Sequence, residues 1–421
     1  MQVLASMADL RREILFAWRE TSVRWTLFTA FAFGLVSLLL GGLEIRDQEQ
    51  QIASLLAQDQ ADRAYVLDGR TDPGDIAYSV FHLTYDPPSD LAFTALGVRD
   101  ELPWKHRLRA LALEGQIYET DAGNVELSLL GKLDFAYFVA FLLPLFVIGL
   151  LYDVNARERR EARYELVCAA SPLGERVLLI RAIARALLLV GAIGLPLLLL
   201  LLISGIPLGA AIALLGIVIA HTAFWLVLSR FVTQRNIEGI TAAISLVSVW
   251  ILLAVVVPVL GKVGVERIYA VPNGGDILLT QRETVNDAWD LPKSATFEPF
   301  LEVHPEWSDY VDMDRPFEWK WYYAFQQVGD QVAEPLSSSL YSGMADRRDA
   351  VGWLSVLSPP LLVEQTMMKL ADTDVSRHLH YIGCARAFHK RIRHFHYPML
   401  FEQEPFSEAK MADLPEFEPC E

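Results

Sequence analysis

Five histidines, His378, His380, His389, His394 and His396, crowd into nineteen residues near the C-terminal end of this chain, and Cys384 stands four positions after His380. An i, i+4 pair shares one face of a helix, which is how an imidazole and a thiolate come to ligate one metal ion. No carboxylate or further cysteine falls at ligand spacing on that face. The expectation is therefore a histidine-rich, solvent-exposed helix over roughly Val375 to Ile392, and no metal. His221 is different, because it lies inside a long apolar run. An ionisable group in hydrocarbon is a functional candidate, here for a transport pathway, and the competing reading is a histidine hydrogen-bonded within a helix bundle.

Other chemistry is excluded by what the chain lacks. There is no G-x-x-x-x-G-K-[ST] loop to cradle phosphates, so ATP hydrolysis would have to come from another subunit. H-E-x-x-H, G-x-S-x-G and C-x-x-C are likewise missing, which removes the common membrane-protease, esterase and thiol-redox readings. The chain is read as a non-enzyme without cofactor.

The most patterned polar segment is 153–181, DVNARERREARYELVCAASPLGERVLLIR, set between two apolar runs. It opens with charge, continues as a helix-compatible Tyr164 to Ala170, and breaks at Ser171-Pro172-Leu173-Gly174 before Arg176. A short amphipathic helix bounded by turns can lie at a membrane surface and transmit force from a partner. An anchor to lipid headgroups is the simpler alternative.

The elements that would hold these residues follow from hydropathy. With 53% apolar residues gathered in blocks, the composition is that of a membrane protein rather than a soluble one. Five runs reach the roughly 20 residues that one crossing requires: 25–43, 135–152, 186–203, 208–228 and 239–260. The first is read as a retained anchor, because Asp9, Glu13 and Glu20 precede it and no small-x-small cleavage site follows. Residues 1–24 form an amphipathic elbow, with Leu10, Ile14, Leu15, Phe16 and Trp18 set among Arg11, Arg12 and Arg19. The expected fold class is thus an α-helical polytopic membrane protein with two inserts of helical or mixed structure, 44–134 and 261–421, and a polar loop at 153–185.

Charge gives the orientation. Segments 1–24, 153–185 and 229–238 carry basic residues at about twice the density of the two long hydrophilic segments, which places them in the cytoplasm by the positive-inside rule. The net charge of −16 then sits on the exported side, which speaks for an acidic outer surface and gives no sign of a nucleic-acid partner. Cys384 and Cys420 both fall on that side, where disulfides persist, and are a candidate pair; Cys168 falls on the other as a small apolar contact.

The order of charged run, short helix, Ser-Pro and basic re-entry resembles the loop between the second and third spans of ABC-2 type exporter permeases. His304-Pro305-Glu306, Leu357-Ser358-Pro359-Pro360 and Leu370-Ala371-Asp372-Thr373-Asp374 with Arg377-His378 further resemble the permeases that carry a DUF3526 domain. The resemblance implies a transport subunit of the bacterial inner membrane with a cytoplasmic N-terminus. It would pair with a second copy or a related permease, contact membrane lipid, and be driven by a separate ATPase subunit. It implies that the loop carries a coupling helix, with Glu158, Glu161, Arg163, Leu166, Ser171, Pro172 and Arg176 as contacts. The chain departs from the family in two ways. The usual Glu-x-Gly-Thr is replaced near its place by Ala162-Arg163, and a sixth span is expected after the outer domain, where this chain stops at LPEFEPCE. A membrane sensor or assembly factor whose outer domain binds a ligand is the alternative function, and an intramembrane enzyme built on the histidines is a third.

Overall fold

A computed structural model describes residues 2–118, 133–170, 176–403 and 407–420. It is 78% helical, so backbone polar groups are satisfied almost entirely within single segments, as a chain of apolar spans requires. Helix α1 (Gln2–Arg19) is the elbow, and α2 (Thr21–Leu67) follows after one residue. At about 1.5 Å per residue α2 is about 70 Å long, more than twice a hydrocarbon core. Its apolar half is the first candidate span, and its polar half, expected to open a separate insert, continues the same helix as a stalk. The other four helices long and apolar enough to cross a membrane come after the first insert. They are α5 (Phe135–Arg160), α7 (Arg176–Ile203), α8 (Leu208–Thr233) and α9 (Gly239–Ile268), with the short α6 (Tyr164–Ala170) between α5 and α7.

Between the first and second of these helices the chain makes α3 (Pro73–Ser79), strand β1 (His82–Tyr85), strand β2 (Lys105–Leu108) and α4 (Leu113–Tyr118). The two strands pair antiparallel, His82 opposite Leu108 and Tyr85 opposite Lys105, and form the only sheet among the described residues. After α9 come α10 (Gly274–Asp287), α11 (Ser294–Val303), α12 (Trp319–Ser355), α13 (Pro359–Leu370), α14 (Val375–Phe401) and α15 (Glu408–Met411). Helix α14 runs nine residues past the expected end and takes Pro398 within its last turn.

The two inserts interlock into one head. Asp330 of α12 accepts from Leu113 N at 2.8 Å and Glu114 N at 3.0 Å, satisfying the free amides at the start of α4. The carboxylate of Glu114 pairs with Arg386, Tyr381 meets Thr84 of β1 at 3.1 Å, and His389 reaches the carbonyls of Arg109 and Leu111 at 2.9 and 2.8 Å. The core under these contacts is aromatic: Phe300, Trp321, Tyr323, Phe325, Phe388, Tyr397 and Phe401 are all buried.

Two spans carry a π-turn ahead of a proline, and the turns explain how head and spans are joined. In α5 the π-turn Phe138–Leu142 precedes Pro144, and in α9 the π-turn Leu252–Val256 precedes Pro258. A proline offers no N–H, so a carbonyl one turn back is left without its helical partner. In α5 that carbonyl is Ala140 O, and His221 Nε2 of α8 lies 3.2 Å from it. In α9 the amide of Val257 bonds back to Leu252, and the freed Leu253 carbonyl accepts from Ser358 Oγ at 2.6 Å. Ser358 is fully buried and also caps α13 by accepting from Leu361 N. Thus α13, a helix of the C-terminal segment, packs against the spans α5, α8 and α9. The head is therefore fastened at this point as well as through the stalk.

Candidate functional site

The polar loop folds as a knob built on charge. Helix α5 breaks at Asp153 and resumes as Val154–Arg160, and a tight turn at Ala162 leads into α6. Ala162 has φ +54°, a left-handed conformation that costs an L-residue about 1–2 kcal/mol and costs glycine nothing.

Beneath the knob two arginines of α7 tie three elements together. Arg181 donates to Glu13 of the elbow and to Glu158 of the knob, both at 2.7 Å, and all three side chains are buried. Arg185 donates to both carboxylate oxygens of Glu20 at 2.9 and 3.0 Å and to Leu150 O at 2.7 Å. On the far side Asn155 donates to Thr233 O at 3.0 Å and accepts from Arg230 at 2.8 Å, while Arg159 donates to Arg235 O at 3.0 Å. The knob is thereby fixed to the elbow, to the start of α7 and to the end of α8. A rigid-body push on it would be felt by all three.

The residues named for partner contact divide by position. Glu158 is turned inward to Arg181 and Arg163, whereas Glu161, Arg163, Leu166 and Arg176 are exposed, Leu166 at 69% of its surface. Ser171 and Pro172 lie outside the described residues. Arg163 pairs with both Glu158 and Glu161, so the exposed charges are already oriented before any partner arrives. Nothing in the sequence marked Glu13, Glu20, Arg181 or Arg185 as part of this site. The available signal was that carboxylates on an amphipathic elbow and arginines at the mouth of an apolar run are costly to bury unless paired.

His221 sits at 3% exposure against Ala140 O, with the indole N–H of Trp225 3.3 Å from the same ring nitrogen. Nε2 either donates to the Ala140 carbonyl or accepts the Trp225 N–H, according to tautomer, and both of these partners lie within the bundle.

In the head, the expected solvent-exposed histidine helix is corrected. His389 and His396 are buried, His378 is half-buried, and only His380 and His394 of the five are exposed. Burial holds His396 down to about 3 and His378 to about 4, so both are neutral at ordinary pH. The other face of α14 borders a cavity of about 420 Å³ lined by His304, Glu306, Glu334, Lys390, His394 and Tyr397, among others. His304 Nδ1 and Glu306 are 3.0 Å apart, and this contact holds the Glu306 carboxyl below its usual range against its own slight desolvation. Cys384 and Cys420 form a disulfide that ties the tail to α14.

Residues 277–419 match the family described as Domain of unknown function (DUF3526), a match that covers less than half of the chain. It begins inside α10, takes in the cavity-bearing part of the head, and includes α13, the helix that enters among the spans. No curated protein and no solved structure matches the chain.

Proposed function

We propose that the chain is the membrane-spanning subunit of an ATP-binding-cassette exporter of the ABC-2 type, pushed by a separate ATPase that docks on the knob at 153–176. The observation that carries this reading is the clamp of Arg181 between Glu13 and Glu158, which makes the knob, the elbow and a candidate span one mechanical unit while Glu161, Arg163 and Leu166 face outward. The higher basic density of 1–24, 153–185 and 229–238 supports a cytoplasmic knob and an acidic head on the far side of a bacterial inner membrane. Two such chains, or one with a related permease, would enclose the pathway in contact with lipid. Catalysis of ATP hydrolysis would belong to the partner. The test is co-purification of the full chain with a Walker-motif ATPase from its native membrane. Capture lost on Glu161→Lys with Arg163→Glu supports the reading, and capture of no ATPase by the unaltered chain overturns it.

The head cavity favours a second reading, in which the chain is a membrane sensor or assembly factor and the head binds a small polar ligand. Lys390, Glu334 and His394 line it, the first two without an ion pair among the described residues, and a site of about 420 Å³ lies in the usual range for small-molecule pockets. A ligand that binds the purified chain and leaves any captured ATPase's rate unchanged would favour this reading over transport.

A further inference from the structure

The tail brings a third ligand to a place where the sequence offers two. His380 and Cys384 stand one turn apart on α14, and Cys420 reaches them from 36 residues further along the chain. One ligand atom from each of the three lies within 4.8 Å of the other two. His380 is exposed and, among the described residues, its side chain makes no hydrogen bond or ion pair, while both cysteines are only half-buried. In the structure the two sulfurs are joined to each other.

We propose that His380, Cys384 and Cys420 form a redox-gated site for a soft metal ion, Zn²⁺ or Cu⁺, that replaces the disulfide when the disulfide is reduced. The exchange balances as follows. A dithiol reductant attacks one sulfur through a mixed disulfide and delivers two electrons and two protons, leaving Cys384 and Cys420 as thiols and itself as a disulfide. Metal binding then displaces the two thiol protons, and neutral His380 supplies the third donor. Two thiolates and an imidazole select Zn²⁺ or Cu⁺ over Mg²⁺ or Ca²⁺. With Zn–S near 2.3 Å, tetrahedral ligation needs the sulfurs to part to about 3.7 Å. The Cα separation of 6.3 Å leaves room for this.

The site would matter because of what the tail covers. Phe417 packs on Phe388 and Tyr85, Met411 and Leu414 fill a small core with Ile76 and Met399, and Cys420 O accepts from Arg377 at 3.2 Å. The tail is thus a strap across β1, α3 and α14. It would be closed by a disulfide under oxidation, open when reduced and metal-free, and closed again by metal.

The experiment uses the full chain in detergent carrying Cys168→Ser, which leaves only these two cysteines. Oxidised, reduced, and reduced plus Zn²⁺ samples are compared by hydrogen exchange in 407–420, and Co²⁺ is added as a spectroscopic probe for thiolate ligation. The expected result is protection, loss of protection, and recovered protection, with one Co²⁺ bound per chain through a thiolate charge-transfer band. His380→Ala should leave the oxidised strap protected. Loss of outer-shell partners alone commonly costs 10–100-fold in metal affinity, so loss of this ligand should weaken binding by about 100-fold or more. The proposal is overturned if the reduced chain binds no metal through thiolate, or if His380→Ala binds it as tightly as the parent. Either result leaves the disulfide as a structural staple and does not bear on the exporter reading.

Discussion

The knob is joined to its neighbours by ion pairs, whereas the head adds an aromatic core and a disulfide to ion pairs of its own, Glu114 with Arg386 and Asp330 with Arg393. In the knob, Arg181 and Arg185 hold the elbow, α7 and the α5 extension together through carboxylates. The head rests on stacked and edge-on aromatic rings and a disulfide, with buried neutral histidines at its joins. An ionic joint is directional and breaks sharply when one partner is lost, whereas an apolar core loses stability in proportion to the atoms removed. On the proposed exporter reading, a part that is pushed as a unit suits the first construction. A part that must keep its shape around a cavity suits the second.

The largest expected effect breaks the ionic joint. Arg181→Ala leaves the buried Glu13 and Glu158 with only the exposed Arg12 and Arg163 as partners and should cost up to about 3–5 kcal/mol of elbow docking, read as new protease cleavage within 1–24 and a lowered unfolding temperature. Adding Glu13→Gln and Glu158→Gln should recover most of that loss; no recovery would mean the arginine acts by packing alone.

On the head side, Cys384→Ser with Cys420→Ser removes a cross-link over 36 residues and should cost about 4 kcal/mol of head stability by loop-closure entropy, measured by denaturant unfolding. The knob should be unaffected, so ATPase capture should survive.

The pH dependence of the head sharpens the contrast. His82 and His396 are held to about 3 and His106 to about 4, chiefly by burial. Their folded values lie below the unfolded one, so their contribution is complete above about pH 6.5 and is lost as pH falls toward those values. Between pH 6.5 and 5 each should cost about 2 kcal/mol. Glu364 works the other way: burial, Asp134 and Glu101 raise it to about 7, so its contribution is complete below about 4.5 and lost as pH rises to 7. The histidines outnumber it, and unfolding temperature should fall on acidification. A temperature that is flat or rising from pH 7 to 5 would show the histidines titrating freely.

Smaller effects test the joints between parts. Ser358→Ala strips the Leu253 carbonyl of its donor and should cost about 1–3 kcal/mol, loosening α13 from the spans in hydrogen exchange. Ala162→Gly relieves a left-handed alanine and should stabilise the knob by up to about 1 kcal/mol, with ATPase capture retained.

The five apolar helices were legible in the sequence because about 20 consecutive apolar residues carry their own signal. Their ends were not: α2 and α5 continue well past the apolar run, since a helix in water and a helix in lipid differ in side chains and not in backbone. The helix Tyr164–Ala170 was legible, and the break expected after it at 171–174 falls outside the described residues. Its inward and outward faces were not, because Glu158 and Glu161 are the same residue type three positions apart and only Arg181 distinguishes them. The exposed histidine helix was misjudged for a similar reason. Charge and polarity in α14 suggest solvent, yet Asp330, Glu114 and the carbonyls at 109–111 come from elsewhere in the chain to pair with it.

Composition and hydropathy alone determined that this is a helical chain with five apolar segments, a charged knob and no phosphate loop, because each of those is a property of consecutive residues. Tertiary structure alone decided that two inserts make one head, that Ser358 and His221 serve carbonyls freed beside prolines, and that Cys420 joins His380 and Cys384. Those are meetings of residues far apart in sequence. Burial sets their energies, and no local pattern records which partner will arrive.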